Sequence, residues 1–197
     1  MVDPTPTGAA LRARLLDTAL TAARRGWPVL PLRPGTGLPA LSGDDPAGSE
    51  RSWEARATTD LERVRRVWSS DAFNVGITPG PAGLVVVAID AAADGATSFR
   101  KLCRSHGEPV PTTRTVRTWD GSTHLYFTSP AAIRFPSTFE RLAPGVNTHA
   151  WGTYVVASGS VIDGRPVVAG VLPFTTVGPA LINPLPGWLT LALRSLR

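Results

Sequence analysis

The run Gly83-Leu84-Val85-Val86-Val87-Ala88-Ile89-Asp90 constrains this chain more than any other stretch. An uninterrupted apolar segment, preceded by Pro79-Gly80-Pro81-Ala82, reads as a buried strand that ends on a carboxylate. Side chains alternate along a strand, so Leu84, Val86, Ala88 and Asp90 share one face, and Val85, Val87 and Ile89 the other. A carboxylate at a strand tip beside a cleft is a usual position for a metal ligand or a general acid/base. Its plainer reading is a solvated strand end.

The flanking sequence supplies layers for such a strand. Thr7 to Arg25 has Leu11, Leu15, Leu16, Ala19, Leu20 and Ala23 at helical spacing, with Thr7 as N-cap and Gly26 as stop. Trp27 to Leu32 reads as a strand whose Pro28 and Pro31 suit an edge. Residues 34–57 form a long loop. A second helix begins at Thr59, which with Glu62 makes a capping box, and buries Leu61, Val64, Val67 and Trp68. Asn74 to Thr78 is a short strand. Ser98 to Ser105 is a helix with Phe99, Leu102 and Cys103 inward, capped by His106.

Thr113 to Thr118 and Thr123 to Thr128 flank Asp120-Gly121, the clearest hairpin signal in the chain. On its second strand His124 and Tyr126 share one face, and Leu125 and Phe127 the other. On the first, Arg114 and Val116 oppose Thr115 and Arg117, and either arginine is a candidate neighbour of His124 because spacing leaves the register open. Pro130 to Pro144 reads as irregular, and Gly145-Val146-Asn147 leads into a strand over Thr153 to Ala157. Short strands follow around Val161-Ile162 and over Val167 to Val177. Pro186 to Leu196 closes the chain as a helix packing Trp188, Leu189, Leu191, Leu193 and Leu196. The pattern is α+β with a mixed sheet. A single domain over 1–197 is expected, comprising 7–33 (helix and strand), 34–57 (loop), 58–128 (central strands, helices and hairpin) and 129–197 (strand ribbon and closing helix).

Charge narrows the partners. Lys and Arg number 20 against 15 Asp and Glu, and the pI is about 10.6. That favours a polyanion such as nucleic acid or nucleotide. Lys101 is the only lysine, so the bias also fits GC-rich coding. One cysteine excludes a disulfide framework and a thiolate zinc site. No signal peptide and no apolar run near the ~18 residues of a membrane span are evident. A cytoplasmic protein without membrane contact is therefore expected.

The ordered set Gly26-Trp27-Pro28-Val29-Leu30-Pro31-Leu32, Ala57-Thr58-Thr59-Asp60, Asn74-Val75-Gly76-Ile77, Gly83 to Asp90, His124-Leu125-Tyr126-Phe127, Gly145-Val146-Asn147, Tyr154-Val155-Val156-Ala157 and Leu185-Pro186-Gly187-Trp188-Leu189 resembles the N-terminal primase-polymerase (prim-pol) domain of bifunctional DNA primase/polymerases, within the archaeo-eukaryotic primase superfamily. The resemblance implies a two-module α+β fold whose mixed sheet is related to an RNA-recognition-motif core. It also implies an acidic pair one residue apart on a strand, a third acid downstream, and a histidine that contacts nucleotide phosphates. Such acids hold two divalent ions for nucleotidyl transfer.

This chain departs from that pattern. Ala88 replaces the first acid, Asp90 is kept, and Asn147 replaces the third. Gly37-Leu38 stands where the family has a lysine, and His124 remains. The resemblance thus implies a remnant of the catalytic pair Asp90 and His124, with Asp90 as the surviving metal ligand. Nucleotide or nucleic acid would be bound by His124, Arg114, Arg117, Tyr126 and Asn147. Mg²⁺ or Mn²⁺ would bind weakly and arrive with the nucleotide, and no zinc is expected. The leading expectation is a degenerate domain impaired in nucleotidyl transfer that keeps nucleotide or nucleic-acid binding. The alternatives are an active primase/polymerase using substitute ligands such as Asp94 or Asp120, a transition-metal site of Asp90, His124 and His149, and a partner-binding remnant. No Gly-Lys-Ser/Thr phosphate loop is present, so unwinding would fall to a separate helicase or other replication protein.

Overall fold

The computed structural model describes residues 8–40, 53–131, 133–170 and 181–196. The expected N-cap Thr7, part of the 34–57 loop, and part of the Val167–Val177 strand lie outside them.

Helix α1 (Gly8–Arg24) buries Leu15, Ala19, Leu20, Ala22 and Ala23, and Gly26 stops it at φ 77°. A short β1 (Val29–Leu32) follows, then a single helical turn α2 (Trp53–Arg56) inside the expected loop. Helix α3 (Leu61–Ser70) buries Val64 and Trp68. Its N-cap is Asp60, not Thr59. The Asp60 carboxylate accepts the N–H groups of Glu62 (2.9 Å) and Arg63 (3.2 Å). Glu62 pairs with Arg65, so no capping box closes.

Strands β2 (Asn74–Ile77) and β3 (Leu84–Ile89) are fully buried. Helix α4 (Gly95–Ser105) starts three residues before the expected Ser98 and ends on His106, whose ring stacks on Trp188 at 4.6 Å. The hairpin is β4 (Arg114–Arg117) and β5 (Thr123–Thr128). Strand β6 (Thr138–Ala143) occupies ground read as irregular, and β7 (Val146–His149) forms where Gly145-Val146-Asn147 is expected to lead into a later strand. The short strands β8 (Val155–Val156), β9 (Val161–Ile162), β10 (Arg165–Pro166), β11 (Val168–Ala169) and β12 (Asn183–Pro184) precede α5 (Gly187–Ser195). In α5, Leu189 and Leu193 are buried, whereas Leu191, expected inward, is 68% exposed.

The strands form a seven-stranded sheet of order β11-β4-β5-β3-β7-β6, with β12 parallel to the end of β5, and a three-stranded sheet β1-β2-β8. The other pairings in the large sheet are antiparallel, so the α+β, mixed-sheet expectation holds. In the small sheet β1 is an edge strand, as Pro31 within it and Pro28 just before it suit. One face of the large sheet (Val85, Val87, Leu125, Phe127) packs with Phe99, Cys103, Leu189 and Leu193 of α4 and α5. The other face (Leu84, Val86, Val116, Tyr126) packs with α1, α3 and the small sheet. No helix among the described residues is long and apolar enough to cross a membrane.

Candidate functional site

The tip of β3 is held by its neighbours' backbones. The Asp90 N–H donates to the Gly145 carbonyl at 2.8 Å, and the Asp90 carbonyl accepts the Gly95 N–H at 2.9 Å. This approach needs glycine: a Cβ on Gly95 would stand 2.3 Å from the Gly145 oxygen. The Asp90 carboxylate accepts the Ala92 N–H at 2.8 Å.

Register sets the rest. Ala88 lies opposite His124 on β5 and opposite Asn147 on β7. Val116 on β4 lies opposite His124. Val116, His124, Ala88 and Asn147 therefore form one row across four strands, on the face shared with Asp90. His149 lies opposite Val86, one pair further along that face.

Part of this row floors a cleft of about 390 Å³ between the two sheets. Asp90, Ala88, His124, Asn147 and His149 come from the large sheet. The β4–β5 turn adds Thr118, Trp119, Asp120 and Ser122, and Tyr154, Val155, Val156 and Gly37 close the opposite side. The Tyr154 hydroxyl donates to the Gly37 carbonyl at 3.1 Å.

The electrostatics are those of neutral imidazoles. His124 and His149 rings are 5.8 Å apart. Burial pushes His124 down to about 3, with His149 adding to the shift against a pull from Asp120. Burial alone takes His149 down to about 4. His124 Nδ1 is enclosed without a hydrogen-bond partner among the described residues, although the residue keeps some exposed surface. For Asp120, burial disfavours ionisation, but hydrogen bonds from Thr118 and Ser122 hold its carboxyl below the usual range. That carboxylate braces the turn.

A pair of divalent ions needs several carboxylates with free oxygens. Here Ala88 offers none. Asn147 Oδ1 accepts the Glu140 N–H at 2.9 Å on β6, and the Glu140 carboxylate in turn accepts the Gly145 N–H at 2.8 Å. Among the described residues no three His, Cys, Asp or Glu side chains are grouped to hold a metal. The residues present do not fit a two-metal centre, and Asp90, His124 and His149 are not so grouped either.

The other expected binding residues lie elsewhere. Arg114 pairs in register with Tyr126, not His124, and both line a separate pocket against α1. Arg117 is exposed on the opposite face of β4. Asp94 caps α4 in a left-handed conformation and does not line the cleft. Sequence reasoning overlooked Trp119, Tyr154 and the Glu140 backbone. The alternation in Val146-Asn147-Thr148-His149, with Val146 and Thr148 buried, is the signal that places Asn147 and His149 together on the other face.

No curated protein matches the chain. A family model described as "Bifunctional DNA primase/polymerase, N-terminal" matches residues 19–188, which takes in every cleft residue named above. By that match the chain belongs to the family of N-terminal domains of bifunctional DNA primase/polymerases.

Proposed function

We propose that this chain is a degenerate prim-pol domain, impaired in nucleotidyl transfer, that keeps a nucleotide- or nucleic-acid-binding cleft. The carrying observation is the row Ala88–His124–Asn147 beside Asp90. The positions that the family resemblance gives to acids face the cleft as a methyl group, an amide and one carboxylate. The amide oxygen is turned to the Glu140 N–H. What remains suits binding: two imidazoles, the Trp119 ring and hydroxyls around a cleft of about 390 Å³. Aromatic faces and hydrogen-bond donors hold bases and phosphates without a metal.

The test compares the wild type with an Ala88→Asp/Asn147→Asp variant in primer extension with Mg²⁺ or Mn²⁺, beside nucleotide binding. The expected result is binding by both proteins and extension by neither or by the variant alone. Robust extension by the wild type, abolished by Asp90→Ala, would overturn the reading. A second reading, an active enzyme with substitute ligands, draws on Asp120 lining the same cleft as Asp90. It requires that Asp120→Asn remove the wild type's extension activity.

A further inference from the structure

A second polar pocket, of about 190 Å³, lies on the same face of the large sheet as the cleft. Thr18 and Thr21 come from α1, Arg25 from the turn that follows it, Arg114 and Tyr126 from the large sheet, and Ser158 from the turn after β8. Tyr126 is two residues from His124 on β5, about 7 Å along the strand. The segment from Val155 to Ser158 passes from one pocket to the other, because Val155 and Val156 line the cleft and Ser158 lines this pocket.

Two guanidinium groups converge here on one aromatic pair. The Trp27 and Tyr126 rings stack 6.4 Å apart. Arg25 lies over Trp27 at 5.5 Å, and Arg114 over Tyr126 at 5.9 Å. Arg114 Nη2 donates to Ser158 Oγ at 3.0 Å, which orients its planar fork. Burial lowers the Arg114 pKa, and the like charge of Arg25 adds to this against a pull from Tyr126. An anion between the two groups relieves that repulsion. Asp17 also lines the pocket, so among the described lining residues the formal charge is two arginines less one carboxylate, a net +1. That sum matches one phosphodiester, not the several charges of a triphosphate. A volume of about 190 Å³ holds a phosphate group but is below the usual range for a whole small-molecule site.

We propose that the Arg25–Arg114 pocket is a backbone-phosphate subsite for a nucleic-acid strand that runs from the His124 cleft along Val155–Ser158 to α1. The inference rests on the nucleic-acid reading of the cleft. Arg25 supplies an exposed charge, and Arg114 a fork oriented by Ser158.

The experiment titrates a short fluorescent oligodeoxythymidylate against wild type, Arg25→Ala and Arg114→Lys across salt concentrations. Arg25 is exposed, so its truncation leaves the core intact. Arg25→Ala is expected to weaken binding about tenfold, the order of one lost charge-assisted contact. Its slope of log affinity against log salt should be shallower by about 0.7, the value for one phosphate contact on a single strand. Arg114→Lys keeps the charge and loses the fork, so affinity should drop with little change in slope. Binding by folded Arg25→Ala that equals wild type in affinity and slope would overturn the subsite and leave the cleft reading standing. No binding by the wild type would overturn the subsite together with the nucleic-acid reading of the cleft on which it rests, and would leave nucleotide binding as that cleft's function. Inorganic phosphate, at matched ionic strength, should not displace the strand. If it does so at low millimolar concentration, the pocket is a free-phosphate site and the strand assignment falls.

Discussion

Asn147 is the residue on which the chemistry turns. An aspartate there could keep the Glu140 N–H as donor on one oxygen and turn the other toward Ala88. The wild type is accordingly expected to show a melting temperature indifferent to Mn²⁺ and to EDTA. Ala88→Asp/Asn147→Asp should melt lower in EDTA and recover with Mn²⁺, because metal binds only the folded state. Scanning calorimetry with both additions checks this. The two cleft histidines give a pH signature. Their pKa values fall from the ordinary 6.5 to about 3 and about 4. The unfolded chain therefore takes up protons below about pH 6.5 that the native chain refuses, and stability drops as pH falls through that window. Asp120 acts at more acidic pH, since its lowered carboxyl loses its stabilising contribution only below the ordinary carboxylate value of 3.8. Urea midpoints should thus be lower at pH 5 than at pH 7.5, and His124→Gln/His149→Gln should flatten that difference. The identity of these residues was legible in the sequence. Their company was not, because the row depends on a β4–β5 register and a β7 pairing that spacing leaves open. Arg114 shows the cost: a register that sets it beside Tyr126 carries it to another pocket.

At the scale of elements, helix α3 offers a sharp test. Asp60→Ala should destabilise the protein by about 1 kcal/mol through loss of the N-cap, while Thr59→Ala at the exposed neighbour should be close to neutral. Chemical denaturation of the two variants decides between the caps. The rule that singles out Thr59 and Glu62 fails because Thr58 Oγ1 accepts the Asp60 N–H and Glu62 turns to Arg65. The long apolar strand β3, helix α1 and the Asp-Gly hairpin were readable because burial and periodicity coincide in them. Strand β6 was not, since its residues lack a buried alternating face: Phe139 is 76% exposed and Glu140 has a φ of 50°. Strand β7 is four residues long and follows directly on a Pro-Gly turn, so its pairing with β3 has little local signal.

At the scale of the molecule, the large sheet is shared by both apolar cores, one under α1 and α3 and the other under α4 and α5. We infer from this a single cooperative unit. Leu15→Ala and Leu189→Ala each empty a fully buried site, one per core, and each should cost about 2–5 kcal/mol. Both should shift one common transition, with tryptophan fluorescence and far-UV circular dichroism still coincident. Separate transitions would divide the chain in two. The sheet's outer strand β6 carries a register break between Thr138 and Ala143, with a left-handed residue inside it. A bent, irregular border of this kind makes a poor template for another backbone. Concentrated samples should consequently resist end-to-end fibril growth from that margin, however sticky Phe139 makes the surrounding surface.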